Sequence, residues 1–194
     1  MRIIAGRFKG RPLSAPKSRE IRPTSDRLRE AMFDILSHRF PEALDGARVL
    51  DLFAGTGALG LEALSRGAAT ALFVDNGAEA RALIRGNVEA LACGGVTRIF
   101  RADASKLGKA PAGPAFTLVF LDPPYELGLA NPTLNALVTG GWLARNAMVV
   151  VEESLKAEVA APATLTKLEE RPYGDTKITL FIHDLGEHAT GEAR

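Results

Sequence analysis

The chain lacks the residues that usually staple or metallate a small protein. Its one cysteine, Cys93, excludes an internal disulfide and a cysteine-based zinc cluster, and fits a reducing compartment. The three histidines, His38, His183 and His188, are scattered without ligand spacing, so no metal is expected. Long apolar runs are missing as well. Stretches such as Ala147–Val151 are far too short to span a bilayer, and Met1–Gly10 carries Arg2, Arg7 and Lys9 without an apolar core, so no secretory signal is evident. The single tryptophan, Trp142, beside Gly140-Gly141, reads as a packing residue rather than a stacking platform. These absences point to a soluble, cytoplasmic protein without membrane or metal.

What is present is ordinary globular usage. With 46% hydrophobic and 24% charged residues, 194 residues suffice for one compact domain with a sizeable core. The net charge of +1 conceals an asymmetry. Residues 1–30 hold nine Lys/Arg against three acids, a local net of +6, which leaves −5 for the rest. A basic end on a mildly acidic body suits contact with a polyanion, although a solvated terminus would give the same count.

Periodicity organises the remainder. Residues 1–23 form a basic arm punctuated by Gly6, Gly10, Pro12, Pro16 and Pro23, in which Ile3-Ile4 and Arg11–Leu13 can pair as a hairpin. Thr24 or Ser25 then caps a helix whose stripe is Leu28, Ala31, Met32, Ile35 and Leu36, leaving Arg27 and Arg29 free to face elsewhere. From Val49 strands and helices alternate, with strands expected at 49–53, 71–75, 97–101, 116–121 and 147–152 and helices at 58–66, 78–92 and 131–139. Two more strand-like runs, 164–169 and 177–183, have no helix between them. The pattern predicts a Rossmann-like α/β domain over 24–183, a mostly parallel seven-stranded sheet with helices on both faces and an antiparallel edge hairpin. Residues 184–194 read as a polar tail.

Two motifs carry chemistry. Asp51-Leu-Phe-Ala-Gly-Thr-Gly-Ala-Leu-Gly60 ends a strand and opens a helix, with Gly55, Gly57 and Gly60 in G-x-G-x-x-G spacing and Asp75 twenty residues after Gly55, at the end of the next strand. Glycines let the backbone turn sharply near a ligand, and the acid accepts hydrogen bonds from ribose hydroxyls. NAD and S-adenosyl-L-methionine both satisfy that pattern. Asp51 favours the second, because a carboxylate suits an ammonium or sulfonium and repels a pyrophosphate. The other motif, Asp122-Pro-Pro-Tyr125, follows the fourth strand at the carboxyl edge of the sheet, where ligands of α/β proteins bind.

Asp51–Gly60, Asp75, Asp103 and Asp122–Tyr125, in that order, resemble the Rossmann-like S-adenosylmethionine-dependent methyltransferases that modify exocyclic amino groups of bases. With the arm and Arg22-Pro-Thr-Ser-Asp-Arg-Leu-Arg-Glu30 added, roughly residues 1–183 resemble the bacterial small-subunit (16S) rRNA guanine-N2 methyltransferase family. The resemblance implies S-adenosyl-L-methionine as cofactor. It would be held by Asp51, Gly55, Gly57 and Gly60, by Asp75 with Asn76 at the ribose, and by Asp103 with Ala104 near the adenine. Asp122, Pro123, Pro124 and Tyr125 would be catalytic. Arg7, Lys9, Arg11, Arg22, Arg27 and Arg29 would meet RNA. The implied partner is 16S rRNA in an assembled or assembling small subunit, with the enzyme as a monomer. Rival readings are a DNA adenine-N6 methyltransferase, a non-catalytic RNA-binding module on the same fold, and an NAD oxidoreductase.

Overall fold

The computed structural model describes residues 1–15, 26–124 and 127–184. Its elements are α1 (Asp26–Arg39), β1 (Arg48–Leu52), α2 (Ala58–Ser65), β2 (Thr70–Val74), α3 (Ala78–Ala90), β3 (Thr97–Phe100), β4 (Phe116–Leu121), α4 (Ala130–Thr139), β5 (Leu143–Ser154), β6 (Leu165–Tyr173) and β7 (Thr176–His183). The sheet order is β3-β2-β1-β4-β5-β7-β6. The first five strands run parallel, and β7 is antiparallel to both neighbours. The expected edge hairpin is therefore present, with its second strand inserted between β5 and β6.

Strand alternation separates two cores. Val49, Phe73, Phe120 and Val150 face a layer built from α1, α2 and α3. Leu50, Leu52, Val74, Leu121 and Val151 face the other way, onto α4 and Trp142. Trp142 is buried, stacks on Phe116 and donates from its indole N–H to the Gly108 carbonyl at 2.8 Å, as a packing residue should. The last strands outrun their expected limits. β5 begins four residues early because Leu143 pairs with Phe116 ahead of an irregularity at Phe116/Leu118. β6 continues through Glu169, Glu170 and Arg171 to Pro172, which an edge strand tolerates on its unpaired side.

Residues 1–15 of the basic end form the expected hairpin, and it is packed against the body. Ile3 and Leu13 are buried in the first core, and backbone bonds between Ile3 and both Gly10 and Arg11 close the hairpin. Its outer turn docks on α2. The Ile4 and Ala5 N–H groups donate to the Glu62 carboxylate at 2.8 and 3.0 Å, and the Phe8 N–H donates to Ser65 Oγ at 2.9 Å. Gly6 permits this approach, since a Cβ there would lie 1.9 Å from the Ser65 carbonyl oxygen.

Arg29 corrects the sequence reading. It is fully buried, not free, with Nη2 donating to the Arg2 carbonyl at 2.5 Å and to Asp26 at 2.9 Å, and Nε 3.9 Å from Glu62. Met32, Ile35 and Leu36 of the expected α1 stripe are buried, while Leu28 and Ala31 are half-buried and Arg29 and Phe33 complete the buried face in their place. Among the described residues, no helix is long and apolar enough to cross a membrane, and no group of His, Cys, Asp and Glu could hold a metal ion.

Candidate active site

Parallel strands end in unpaired backbone and short loops on one edge of the sheet, and that edge is where this chain concentrates carboxylates. Asp51 on β1, Asp75 after β2, Asp122 after β4 and Glu152 on β5 all line one cavity of about 900 Å³. Gly55, Asn76, Pro123, Pro124 and Arg27 line it too. Seven of the expected donor and catalytic positions thus share one cavity with one expected RNA contact.

The glycine loop builds one half of the cavity. Phe53 leaves β1 at φ +57, a conformation costly for a bulky residue, and Gly55 and Gly57 follow at φ +55 and +77. This tight turn brings the Gly55 N–H to Asp75 Oδ2 at 2.9 Å, while the Gly77 N–H reaches Asp75 Oδ1 at 2.7 Å. Two backbone donors fix the plane of that carboxylate and leave further lone pairs for vicinal hydroxyls. Asp51 is buried beneath the loop and accepts from the Gly60 N–H at 2.9 Å. Burial pushes its carboxyl well above the usual carboxylate range; the Gly60 N–H opposes this, and the charges of Asp122 and Asp75 add to it. A cation above Asp51 would relieve the strain of ionising it there.

Some expected residues stand elsewhere. Gly57 and Gly60 do not line the cavity; Gly60 lies behind it, where a Cβ would meet the Phe73 ring at 2.5 Å and Asp51 Oδ2 at 3.1 Å. Asp103 and Ala104 are also outside the lining. Asp103 caps a short 3₁₀ turn, accepting from the Ser105 N–H and hydroxyl, and the hydroxyl bond is the main cause of its lowered pKa. Arg7, Lys9 and Arg11 are exposed on the hairpin, Arg7 over the Phe8 ring and Arg11 donating to the Ala90 carbonyl at 2.5 Å. Arg22 and Tyr125 lie outside the described residues.

Sequence reasoning missed the far wall. Tyr173, Gly174, Asp175 and Thr176, the β6–β7 turn, line the cavity with Glu152 and Leu28. The signal for Glu152 was available: an acid closing a buried apolar strand, the same feature that marks Asp51 and Asp122. For the turn there was none, because its place over the cavity depends on β7 inserting beside β5.

Comparison with known proteins agrees with this geometry. A family model described as conserved hypothetical protein 95 matches residues 1–182. The chain is 39% identical over 183 residues to the ribosomal RNA small subunit methyltransferase D of Escherichia coli K12, covering 93% of this chain and 89% of that protein. It is 34% identical over 186 residues to the putative rRNA methyltransferase YlbH of Bacillus subtilis, covering 93% and 98%. The solved structure of the putative methyltransferase yhhF from Escherichia coli superposes with a TM-score of 0.82 at 34% identity, covering 96% of this chain and 99% of that one. The chain belongs to the conserved hypothetical protein 95 family, an rRNA methyltransferase family on a Rossmann-like fold.

Proposed function

We propose that this methyltransferase moves a methyl group from S-adenosyl-L-methionine to the exocyclic N2 of a guanine in 16S rRNA, within an assembled or assembling small subunit. The observation that carries the reading is the lining of a single cavity by Asp51, Asp75 and the Asp122-Pro123 pair, at the ends of β1, β2 and β4. When bound, S-adenosyl-L-methionine supplies a methyl group activated by a sulfonium. Asp51 would face its cationic part, Asp75 and Asn76 its ribose, and Asp103 with Ala104, at the β3 end, the adenine side. The small-subunit rRNA substrate is supported by the names of the relatives.

Guanine N2 is a poor nucleophile because its lone pair is delocalised into the ring. Two acceptors, the Asp122 carboxylate and the Pro123 carbonyl, would bond its two N–H groups and favour a pyramidal nitrogen. Proline suits that place, lacking an N–H of its own and fixed in φ. Tyr125 would offer a stacking face worth about 1–3 kcal/mol to a flipped base. Asp122 would take the amine proton as the new bond forms or afterwards. Positioning supplies much of the acceleration.

The test is incubation of the chain with methyl-labelled donor and small subunits, naked rRNA or duplex DNA, followed by nucleoside mass spectrometry. Label in N2-methylguanosine of small-subunit rRNA is expected; label in adenine or in DNA overturns the reading. Asp122→Ala should abolish turnover and leave donor affinity nearly intact. Asp75→Ala should weaken donor binding by roughly 1–3 kcal/mol through lost charge-assisted hydrogen bonds. Full turnover in the first variant, or unchanged calorimetric affinity in the second, would remove the corresponding assignment.

A further inference from the structure

Glu152 is 2% exposed and lines the cavity, yet nothing in the chemistry above uses it. Strand order separates it from the donor half. β1, β2 and β3 lie on one side of β4, and β5 lies on the other. Register sets its level: Leu121 of β4 pairs with Val151 of β5, so Asp122 and Glu152 are successive residues of neighbouring strands at one height. Adjacent strands are about 4.8 Å apart. Alternation sets its face: Phe120 and Val150 point into the first core, so Asp122 and Glu152, two residues on, point to the same side. That side is closed by Leu28 and Arg27 of α1 and by Tyr173 on β6.

We infer that Glu152 is the specificity-determining residue for the base, its carboxylate accepting the ring N1–H of the guanine whose 2-amino group meets Asp122. The inference rests on the guanine-N2 reading above. Guanine presents N1–H and the 2-amino group as adjacent donors on one edge. Two carboxylates leaving neighbouring strands at one height are complementary to that pair. Adenine presents a lone pair at N1, which would face the Glu152 carboxylate, and a buried carboxylate opposed by an acceptor is strongly disfavoured. Asp122 alone cannot make this distinction, because an exocyclic amine occurs on adenine and cytosine as well. A site built to accept a substrate N–H rejects the analogue lacking it far more strongly than an apolar pocket rejects a missing methylene.

The probe is small-subunit rRNA, ligated to carry 2-aminopurine riboside at the nucleotide the wild-type enzyme methylates. This base keeps the 2-amino group and lacks N1–H. The wild-type chain should lose about 100-fold in kcat/KM on it relative to guanine, the size of a lost bond to a charged group. Glu152→Gln can donate its amide N–H to the bare N1, so its ratio should narrow to within about tenfold, chiefly because guanine becomes a worse substrate. Glu152→Asp keeps the charge and should keep the preference at reduced kcat/KM. Calorimetric donor affinity equal to wild type in both variants establishes that they are folded. A Gln variant with the wild-type ratio, while the wild-type enzyme methylates guanine N2, overturns the Glu152 assignment alone. No N2-methylguanosine from the wild-type enzyme overturns the parent reading, and this one with it.

Discussion

Replacing Glu62 with alanine removes the point at which the N-terminal hairpin, α1 and α2 are tied together. Glu62 is fully buried and accepts from the Ile4 N–H at 2.8 Å, the Ala5 N–H at 3.0 Å and Arg66 Nε at 2.7 Å. It also lies 3.9 Å from the buried Arg29. Breaking a buried ion pair from one side costs about 3–5 kcal/mol, because the remaining charge stays out of water. Each backbone donor that loses a charged acceptor adds about 1.5–3 kcal/mol when it cannot reach water. These costs overlap, since a hairpin that undocks lets water in, so the expected loss is about 4–6 kcal/mol. Against a total stability of about 5–15 kcal/mol that is a large share, and it should lower Tm by roughly 10–20 °C. Urea denaturation measures the loss, and amide hydrogen exchange at Ile4, Ala5 and Phe8 shows where it arises. Gly6→Ala is the independent check. It leaves every buried charge in place but drives a Cβ to 1.9 Å from the Ser65 carbonyl oxygen, at a residue with φ +77. Hairpin amides should again exchange quickly, with a smaller loss of about 1–3 kcal/mol. A Glu62→Ala protein within 1 kcal/mol of wild type would refute the reasoning and reduce the hairpin to a solvated terminus. The same accounting makes deletion of the basic end a poor probe of RNA binding, because it would strand Glu62 and Arg29 together.

Two further perturbations test the site's foundations. A carboxyl whose folded pKa is raised, as burial raises that of Asp51, contributes stability that is complete below its unfolded value and lost as pH rises through its folded value. Without donor, this contribution should therefore fade as pH climbs above about 4, opposed by that of Asp103, whose pKa is lowered; Asp51→Asn should lack that part of the slope and bind donor less tightly, and identical Tm–pH profiles would rule this out. Gly60→Ala gains about 1 kcal/mol of helix propensity, but its Cβ would sit 2.5 Å from the buried Phe73 ring and 3.1 Å from Asp51 Oδ2. Overpacking at about 1–3 kcal/mol should win, giving a lower Tm and weaker donor binding; a Tm above wild type contradicts it.

The sheet was legible because most of its parallel strands are apolar runs closed by a loop, and because Asp51, Asp75 and Asp122 each stand at such a closure. Arg29 was not, for a definite reason. It occupies an inward position with Met32, Phe33 and Leu36, and a local reading assigns such positions to apolar side chains. Its counter-charge, Glu62, comes from another helix thirty-three residues later. The hairpin's pairing could be read from Gly and Pro spacing, whereas its docking could not, because Gly6 reads as a turn residue and its contact with Ser65 is tertiary. Asp103 adds a local contact: Ser105, two residues on, donates to its Oδ1 from within one turn, which its place after a strand does not announce.

The docked hairpin also changes how the basic end acts in the proposed function. Its other end holds the glycine loop: the Ser14 N–H donates to Asn87 Oδ1 at 2.8 Å, and Asn87 Nδ2 donates to the Thr56 carbonyl at 2.9 Å, with Thr56 lining the cavity. Asn87 is buried on α3, so this relay is backed by the core rather than by solvent. Arg7, Lys9 and Arg11 therefore project from a support that is continuous with the glycine-loop side of the cavity. Phosphate contacts position a protein on nucleic acid, while contacts to base edges specify the site. Cations on a preformed support leave less ordering entropy to be lost on binding than cations on a free arm would. Contacts made by the hairpin would then fix the distance from the RNA backbone to Asp122, and base choice would fall to the far wall, where Glu152 and Tyr173 stand.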